Sequence, residues 1–231
     1  MRRVAARPET LDVAREPLAQ RRARARAIAR ALEHAYPEAW CELAYASPWE
    51  LLVATILSAQ CTDKTVNQVT PELFRRFPTP AALAVASPAV VEGLVRRTGF
   101  FRQKTRAIQA VARAVAEDYG GAVPGSLEAL TALPGIGRKT ANVVLGTAFG
   151  KPAIFVDTHV KRLARRLGLS RHADPVKIEL DLQALLPEQA WTRFAHRLIH
   201  HGRRVCAART PRCSICPLAR WCPRIGVSRS A

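Results

Sequence analysis

Helix-start signals recur along this chain and sustained period-two alternation is absent, which confines it to an all-α fold. Ser47-Pro48-Trp49-Glu50 supplies a capping hydroxyl, a proline at the first helical position and a glutamate at the third. It launches the run Leu51 to Leu57, apolar on most faces as a helix buried within a bundle must be. Thr79-Pro80 and Ser87-Pro88 repeat the cap-plus-proline start. Pro17 opens an Arg-rich helix to about His34, with Ile28 and Leu32 facing inward. Arg102 to Asp118 is amphipathic and stops at Gly120-Gly121. Asp157 caps a helix presenting Val160, Leu163, Ala164 and Leu167, closed by Gly168. Pro187 opens another through Trp191, Phe194, Ala195, Leu198 and Ile199, closed by Gly202.

With 231 residues, 48% of them apolar, the chain can bury one large core or two modest ones. No apolar run approaches the length of a membrane span, and the N-terminus is too charged for a secretory signal. Residues 1–16 mix Arg with Pro, Glu and Asp without periodicity and read as a disordered basic arm. Glu9, Asp12 and Glu16 tell against a mitochondrial presequence. The expectation is a protein of the bacterial cytoplasm working at the nucleoid, with no membrane partner. Thirty-six Lys plus Arg oppose 18 Asp plus Glu, a formal charge of +18 spread along the whole length. Solubility alone needs no such excess, so nucleic acid is the first expectation. Charge by itself would leave membrane or heparin-like partners open.

Leu133-Pro134-Gly135-Ile136-Gly137-Arg138-Lys139-Thr140 narrows that choice. Gly135 and Gly137 bracket a tight turn needing free φ and no side-chain bulk. Ser126 caps a short helix ahead of it carrying Leu127, Leu130 and Leu133, and a second helix, about Arg138 to Ala148, follows. The second helix points backbone N–H groups into the turn, where a nucleic-acid phosphate can approach. Helix, hairpin, helix over residues 126–148 thus grips a DNA backbone without reading its sequence. Lys139 in the hairpin and Asp157 in Val156-Asp157-Thr158-His159 add one amine and one carboxylate. The plainer alternatives are a phosphate contact for Lys139 and helix capping alone for Asp157.

Of six cysteines, Cys41 and Cys61 stand apart and read as small buried hydrophobes. Cys206, Cys213, Cys216 and Cys222 are separated by six, two and five residues. In a reducing compartment such clustering indicates a metal. Four-cysteine zinc sites show two short knuckles, whereas only Cys213 and Cys216 form one here. One compact loop carrying four thiolates suits a [4Fe–4S] cluster ahead of zinc. His196, His200 and His201 include an i, i+4 pair without a third ligand nearby, and read as helix-surface or interdomain residues.

The hairpin with Lys139, the Val156-to-His159 element and the C-x6-C-x2-C-x5-C ending together resemble the endonuclease III family of DNA glycosylases, over about Ala19 to Pro223. The resemblance implies two all-α domains: a six-helix barrel over 42–151, and a [4Fe–4S] domain built from 17–41 and 152–231. It implies a substrate groove between them, with Lys139 and Asp157 on opposite sides. It also implies a monomer acting on double-stranded DNA that contains damaged pyrimidines or abasic sites.

Base removal breaks a C1′–N bond through a transition state with oxocarbenium character, which a carboxylate stabilises and an amine can attack. Lys139 is therefore expected as nucleophile, its neutral form favoured by the helix dipole and partial desolvation, with Asp157 as its partner. The target base must be rotated out of the stack and its gap filled. The resemblance assigns that filling to Gln60 in Leu57-Ser58-Ala59-Gln60-Cys61-Thr62-Asp63, and a second wedge to Phe100 after Thr98-Gly99. Many family members carry an aliphatic residue where Phe100 stands, and packing in the core is the alternative for Phe100 and Phe101. Gly135, Gly137, Arg138, Thr140, His159, Arg209 and Arg212 complete the expected DNA contacts, the last two in the basic loop between the first two cysteines.

Two other readings remain at this stage. A monofunctional mismatch glycosylase, the adenine-removing branch, would share hairpin, aspartate and cluster but lack the lysine and extend further. This chain has Lys139 and runs nine residues past Cys222. A non-catalytic DNA-binding module with a folding or redox-sensing cluster would have no need to keep Lys139 and Asp157 together.

Overall fold

The computed structural model describes residues 15–231, and among these all regular structure is helical. The helices are α1 (Leu18–Ala35), α2 (Pro48–Leu57), α3 (Asp63–Arg76), α4 (Pro80–Ala84), α5 (Pro88–Val95) and α6 (Phe101–Asp118). They continue with α7 (Leu127–Ala132), α8 (Arg138–Ala148), α9 (Thr158–Arg166), α10 (Pro175–Leu185) and α11 (Trp191–Arg204). No described helix is long and apolar enough to cross a membrane. The arm expected over residues 1–16 falls, up to residue 14, outside the described residues. The chain divides into two compact units, Cys41–Ala153 (the hairpin unit) and Met1–Trp40 with Ile154–Ala231 (the cysteine unit).

The hairpin unit contains α2 to α8 around a core that includes the fully buried Leu51, Leu52, Leu57, Leu73, Ile108 and Leu130. Ser47 Oγ accepts the Glu50 N–H at 3.2 Å, as the cap signal requires. The Glu50 carboxylate reaches back to the Ala46 N–H at 2.7 Å, one residue before the cap, and closes the box there. Thr79 caps α4 through its hydroxyl, but Ser87 makes no side-chain cap bond, so α5 starts on Pro88 without that support. Helix α3 was not marked by a proline start; Thr62 caps it, and Val66, Val69 and Leu73 turn its inner face to the core.

The cysteine unit packs Ile28 and Leu32 of α1 against Leu163, Leu182, Phe194 and Leu198. Glu16, at the end of the stretch read as an arm, is fixed: Arg24 donates to both carboxylate oxygens, at 2.8 and 2.6 Å. Arg24 also donates to the carbonyls of Leu167 and Gly168, which ties α1 to the end of α9. Two expectations for α11 are corrected. Glu188–Ala190 after Pro187 is a separate 3₁₀ turn, and Gly202 lies inside the helix, which runs on to Arg204. A Cβ at Gly202 would lie 2.9 Å from His159 Nδ1 and 3.0 Å from Arg162 Nη2, so the glycine admits α9 instead of ending α11.

The surface reading of the three histidines is likewise corrected, since all are buried. His196 packs on the rings of Trp40 and Phe155, with centroids 4.7 and 4.8 Å away. His200 Nε2 lies 3.2 Å from the Trp40 carbonyl, and His201 Nδ1 lies 2.9 Å from the Tyr36 hydroxyl. Burial lowers the His201 pKa to about 4, so its ring is neutral. The chain following α1 supplies Tyr36 and Trp40, and the segment ahead of α9 supplies Phe155, partners that a reading of α11 alone does not reveal.

Candidate functional site

In the hairpin unit, Ser126 Oγ accepts the Ala129 N–H at 3.1 Å and starts α7. The turn closes where the Ile136 N–H donates to the Leu133 carbonyl at 3.1 Å, with both side chains buried as anchors. Gly135 has φ +71°, a conformation that favours glycine. Gly137 does not share it: at φ −84° it is extended, and its part in the motif is bareness. A Cβ there would meet nothing within 4 Å, so no neighbouring atom among the described residues accounts for the missing side chain. Arg138 and Thr140 are half-buried on the first turn of α8, and Lys139 between them is exposed.

The two expected wedges share an unusual backbone. Gln60 has φ +52° and Phe100 φ +47°, and both side chains are exposed, Phe100 by 62%. A left-handed backbone is costly for residues with a Cβ and, away from glycine, points to a constrained local structure. Core packing is thus the role of Phe101 and not of Phe100: Phe101 lies against the core with the guanidinium carbons of Arg96 and Arg102 5.5 and 5.4 Å from its ring centre. Cys41 and Cys61 are partly buried against the same core, and burial raises the Cys41 thiol pKa.

In the cysteine unit, Asp157 Oδ1 accepts the Val160 N–H at 2.7 Å, so the carboxylate caps α9. His159 on the first turn is half-buried, its Nδ1 3.1 Å from Arg162 Nη2. Burial lowers the His159 pKa, Arg162 and Arg203 act in the same direction, and Asp157 opposes them. Arg162 donates to the carbonyls of Gly202 and Cys206, both at 3.0 Å. One turn on, Arg166 donates to the Cys206 sulfur at 3.3 Å and to the carbonyls of Ala207 and Ala208 at 2.7 and 2.6 Å. The helix capped by Asp157 thereby holds the start of the cysteine loop.

Cys206, Cys213, Cys216 and Cys222 line one pocket together with Leu163, Leu167 and Leu218. Among the described residues no three His, Cys, Asp or Glu side chains converge as a group that would hold a metal ion. Four cysteines around a pocket otherwise lined largely by apolar side chains fit an all-thiolate donor set, the kind that holds an iron–sulfur group or a structural zinc ion. Arg166 beside Cys206 would offset part of the thiolate charge. Arg209 and Arg212 are exposed on the intervening loop, where the Arg212 guanidinium donates to the Arg204 carbonyl.

Residues 53–188 match the model of the HhH-GPD superfamily base excision DNA repair proteins. The chain belongs to this family. It is 52% identical to endonuclease III of Synechocystis sp. over 207 residues, covering 89% of this chain and 94% of that protein. To endonuclease III of Bacillus subtilis it is 45% identical, covering 81% and 86%. A solved structure of a trapped endonuclease III–DNA covalent intermediate superposes with TM-score 0.83 at 42% identity, covering 87% of this chain and 95% of that one. Within the HhH-GPD family the chain is thus a base excision repair DNA glycosylase of the endonuclease III type. Sequence reasoning missed Arg162 and Arg166, which brace the cysteine loop, and the buried Lys104 behind the Gln60 and Phe100 loops. In so Arg-rich a chain nothing local distinguishes a bracing arginine from a solvated one.

Proposed function

We propose that this HhH-GPD enzyme is bifunctional: it excises oxidised pyrimidines such as thymine glycol from duplex DNA, then cleaves the strand 3′ to the abasic site. The observation that carries this reading is the exposed Lys139 amine on the first turn of α8, directly after the bare Gly135-to-Gly137 turn. The turn takes a backbone phosphate and Arg138 and Thr140 add contacts, which presents the amine to the neighbouring sugar. Covered by DNA, the neutral amine attacks C1′ as the C1′–N bond breaks, and the bond pair leaves with the base, which takes up a proton. The Asp157 carboxylate stabilises the positive charge on the sugar and relays the proton lost by the amine. Ring opening gives an iminium between Lys139 and C1′. Loss of a 2′ proton then expels the 3′ phosphate by β-elimination, and water releases the lysine.

Gln60 fills the gap left by the rotated base and Phe100 leans into the opposite strand. His159, with its ring disfavoured from charging, donates or accepts a hydrogen bond at the backbone, and Arg209 and Arg212 neutralise phosphates. Cys206, Cys213, Cys216 and Cys222 would hold a [4Fe–4S] cluster, which when bound ties the loop rigidly and offers no open Lewis-acid position. The enzyme works as a monomer in the bacterial cytoplasm at the nucleoid.

Borohydride trapping on a thymine glycol duplex, beside an abasic duplex, tests the reading. A covalent adduct is expected on both and is lost in Lys139→Gln with DNA binding intact. Strand cleavage retained by Lys139→Gln would sink the nucleophile assignment.

A further inference from the structure

Lys104 is 5% exposed on α6, and its ammonium group donates to two main-chain carbonyls, Leu57 at 2.8 Å and Thr98 at 2.7 Å. Each carbonyl ends a helical segment: Leu57 is the last residue of α2, and Thr98 the last of the 3₁₀ turn Arg96–Thr98. Carbonyls at such ends lack intrahelical partners and carry the negative end of the helix dipole, so one cation between them satisfies both. Three residues after Leu57 comes Gln60, and two after Thr98 comes Phe100. Of the three non-glycine residues with positive φ among the described residues, two thus follow the carbonyls that Lys104 holds. Both side chains project from the surface while their strained backbones rest on one buried charge. Burial lowers the Lys104 pKa, opposed by the nearby Cys61. A cation kept in that setting reflects a geometric demand that a neutral core residue would not meet.

We propose that Lys104 is a positioning residue for base extrusion: it clamps the Gln60 loop and the Phe100 loop at one fixed separation, so the two side chains enter the duplex as a pair. The inference rests on the reading of Gln60 and Phe100 as DNA-inserting residues. Lys104 touches neither DNA nor the reacting atoms. It acts through the two backbones, and its loss separates extrusion from chemistry. On single-stranded abasic DNA there is no base to rotate and no stacked gap to fill, so cleavage does not need the clamp.

The test uses the cluster-loaded protein with Lys104→Met, and Lys104→Arg, which keeps the charge but alters its reach, as a second variant. Single-turnover cleavage is measured on a thymine glycol duplex and on single-stranded abasic DNA, and 2-aminopurine beside the lesion reports unstacking. The duplex rate is expected to fall by about tenfold to a hundredfold, the scale of a small misplacement, with the fluorescence rise lost and single-strand cleavage unchanged. Combining Lys104→Met with Gln60→Ala or Phe100→Ala is expected to be less than additive, because the clamp acts through those loops. Equal loss on both substrates, additive effects, or wild-type duplex rates in both variants would overturn the proposal. Should the wild-type protein itself leave the thymine glycol duplex intact, the underlying function reading falls instead.

Discussion

The Asp157 carboxylate accepts the Val160 N–H at 2.7 Å, so the catalytic role proposed for it would be superimposed on helix capping, and two substitutions separate the roles. Asparagine caps a helix as well as aspartate does, whereas alanine cannot. Asp157→Asn is therefore expected to melt within a degree or two of wild type, while single-turnover excision falls roughly 10²- to 10³-fold with the lost charge. Asp157→Ala loses the cap as well, about 1 kcal/mol, and melts a few degrees lower with a similar rate. Equal rates for wild type and Asp157→Asn would reduce Asp157 to a cap. Thermal melts and single-turnover rates on one preparation decide it. The capping role was legible in the sequence because a cap is a local event: Asp157, Ser47 and Ser126 all accept from an N–H three residues on. Gln60 and Phe100 were nameable only by resemblance, since a positive φ at a non-glycine residue leaves no mark in composition. Lys104 was invisible for a related reason: between Arg102 and Arg106 on an amphipathic helix it reads as one more solvated cation, and only the two carbonyls behind it show otherwise.

At the scale of elements, α9 and α11 depend on one missing methyl group. Gly202 presents bare backbone to α9, and a Cβ there would come within 2.9 Å of His159 Nδ1 and 3.1 Å of His159 Cβ. His159 is a stiff aromatic side chain already held by Arg162, so relief requires α9 to move. Gly202→Ala is expected to cost about 1–3 kcal/mol, the usual range for overpacking, seen as a drop of several degrees in Tm. Because His159 follows the Asp157 cap by two residues, the strain reaches the candidate site, and excision should slow by more than lost folded protein explains. An unchanged Tm would show that α9 and α11 have more room than their contact suggests. Periodicity found the body of α11, but Gly202 was read as its terminator because helix ends and close helix crossings use the same residue. The distinction lies in the partner helix, 40 residues away in sequence, and no local pattern carries it.

On the scale of the whole molecule, a charge of +18 makes affinity for DNA inseparable from salt. Each phosphate neutralised releases counterions, so log K falls with log salt by about 0.9 per contact. The charge is spread along the chain, and most of that slope should survive any single substitution. Arg209→Ala removes an exposed guanidinium and is expected to lower the slope by about one. Arg212→Ala should do the same and also deprive the Arg204 carbonyl of its donor, loosening the loop. The proposed cluster would enter at this scale because the loop bearing both arginines is held by Arg166 on Cys206 and the two following carbonyls, and would be tied a second time through Cys206, Cys213, Cys216 and Cys222. Removing iron should therefore act on binding through the loop: Tm falls, the slope drops by about one to two, and Arg209→Ala no longer changes it further. If iron-stripped protein kept the full slope, and Arg209→Ala still removed one contact from it, the arginines of α9 would suffice to hold the loop. The cluster's contribution would then lie in the remainder of the cysteine unit, where Leu163, Leu167 and Leu218 border the same pocket.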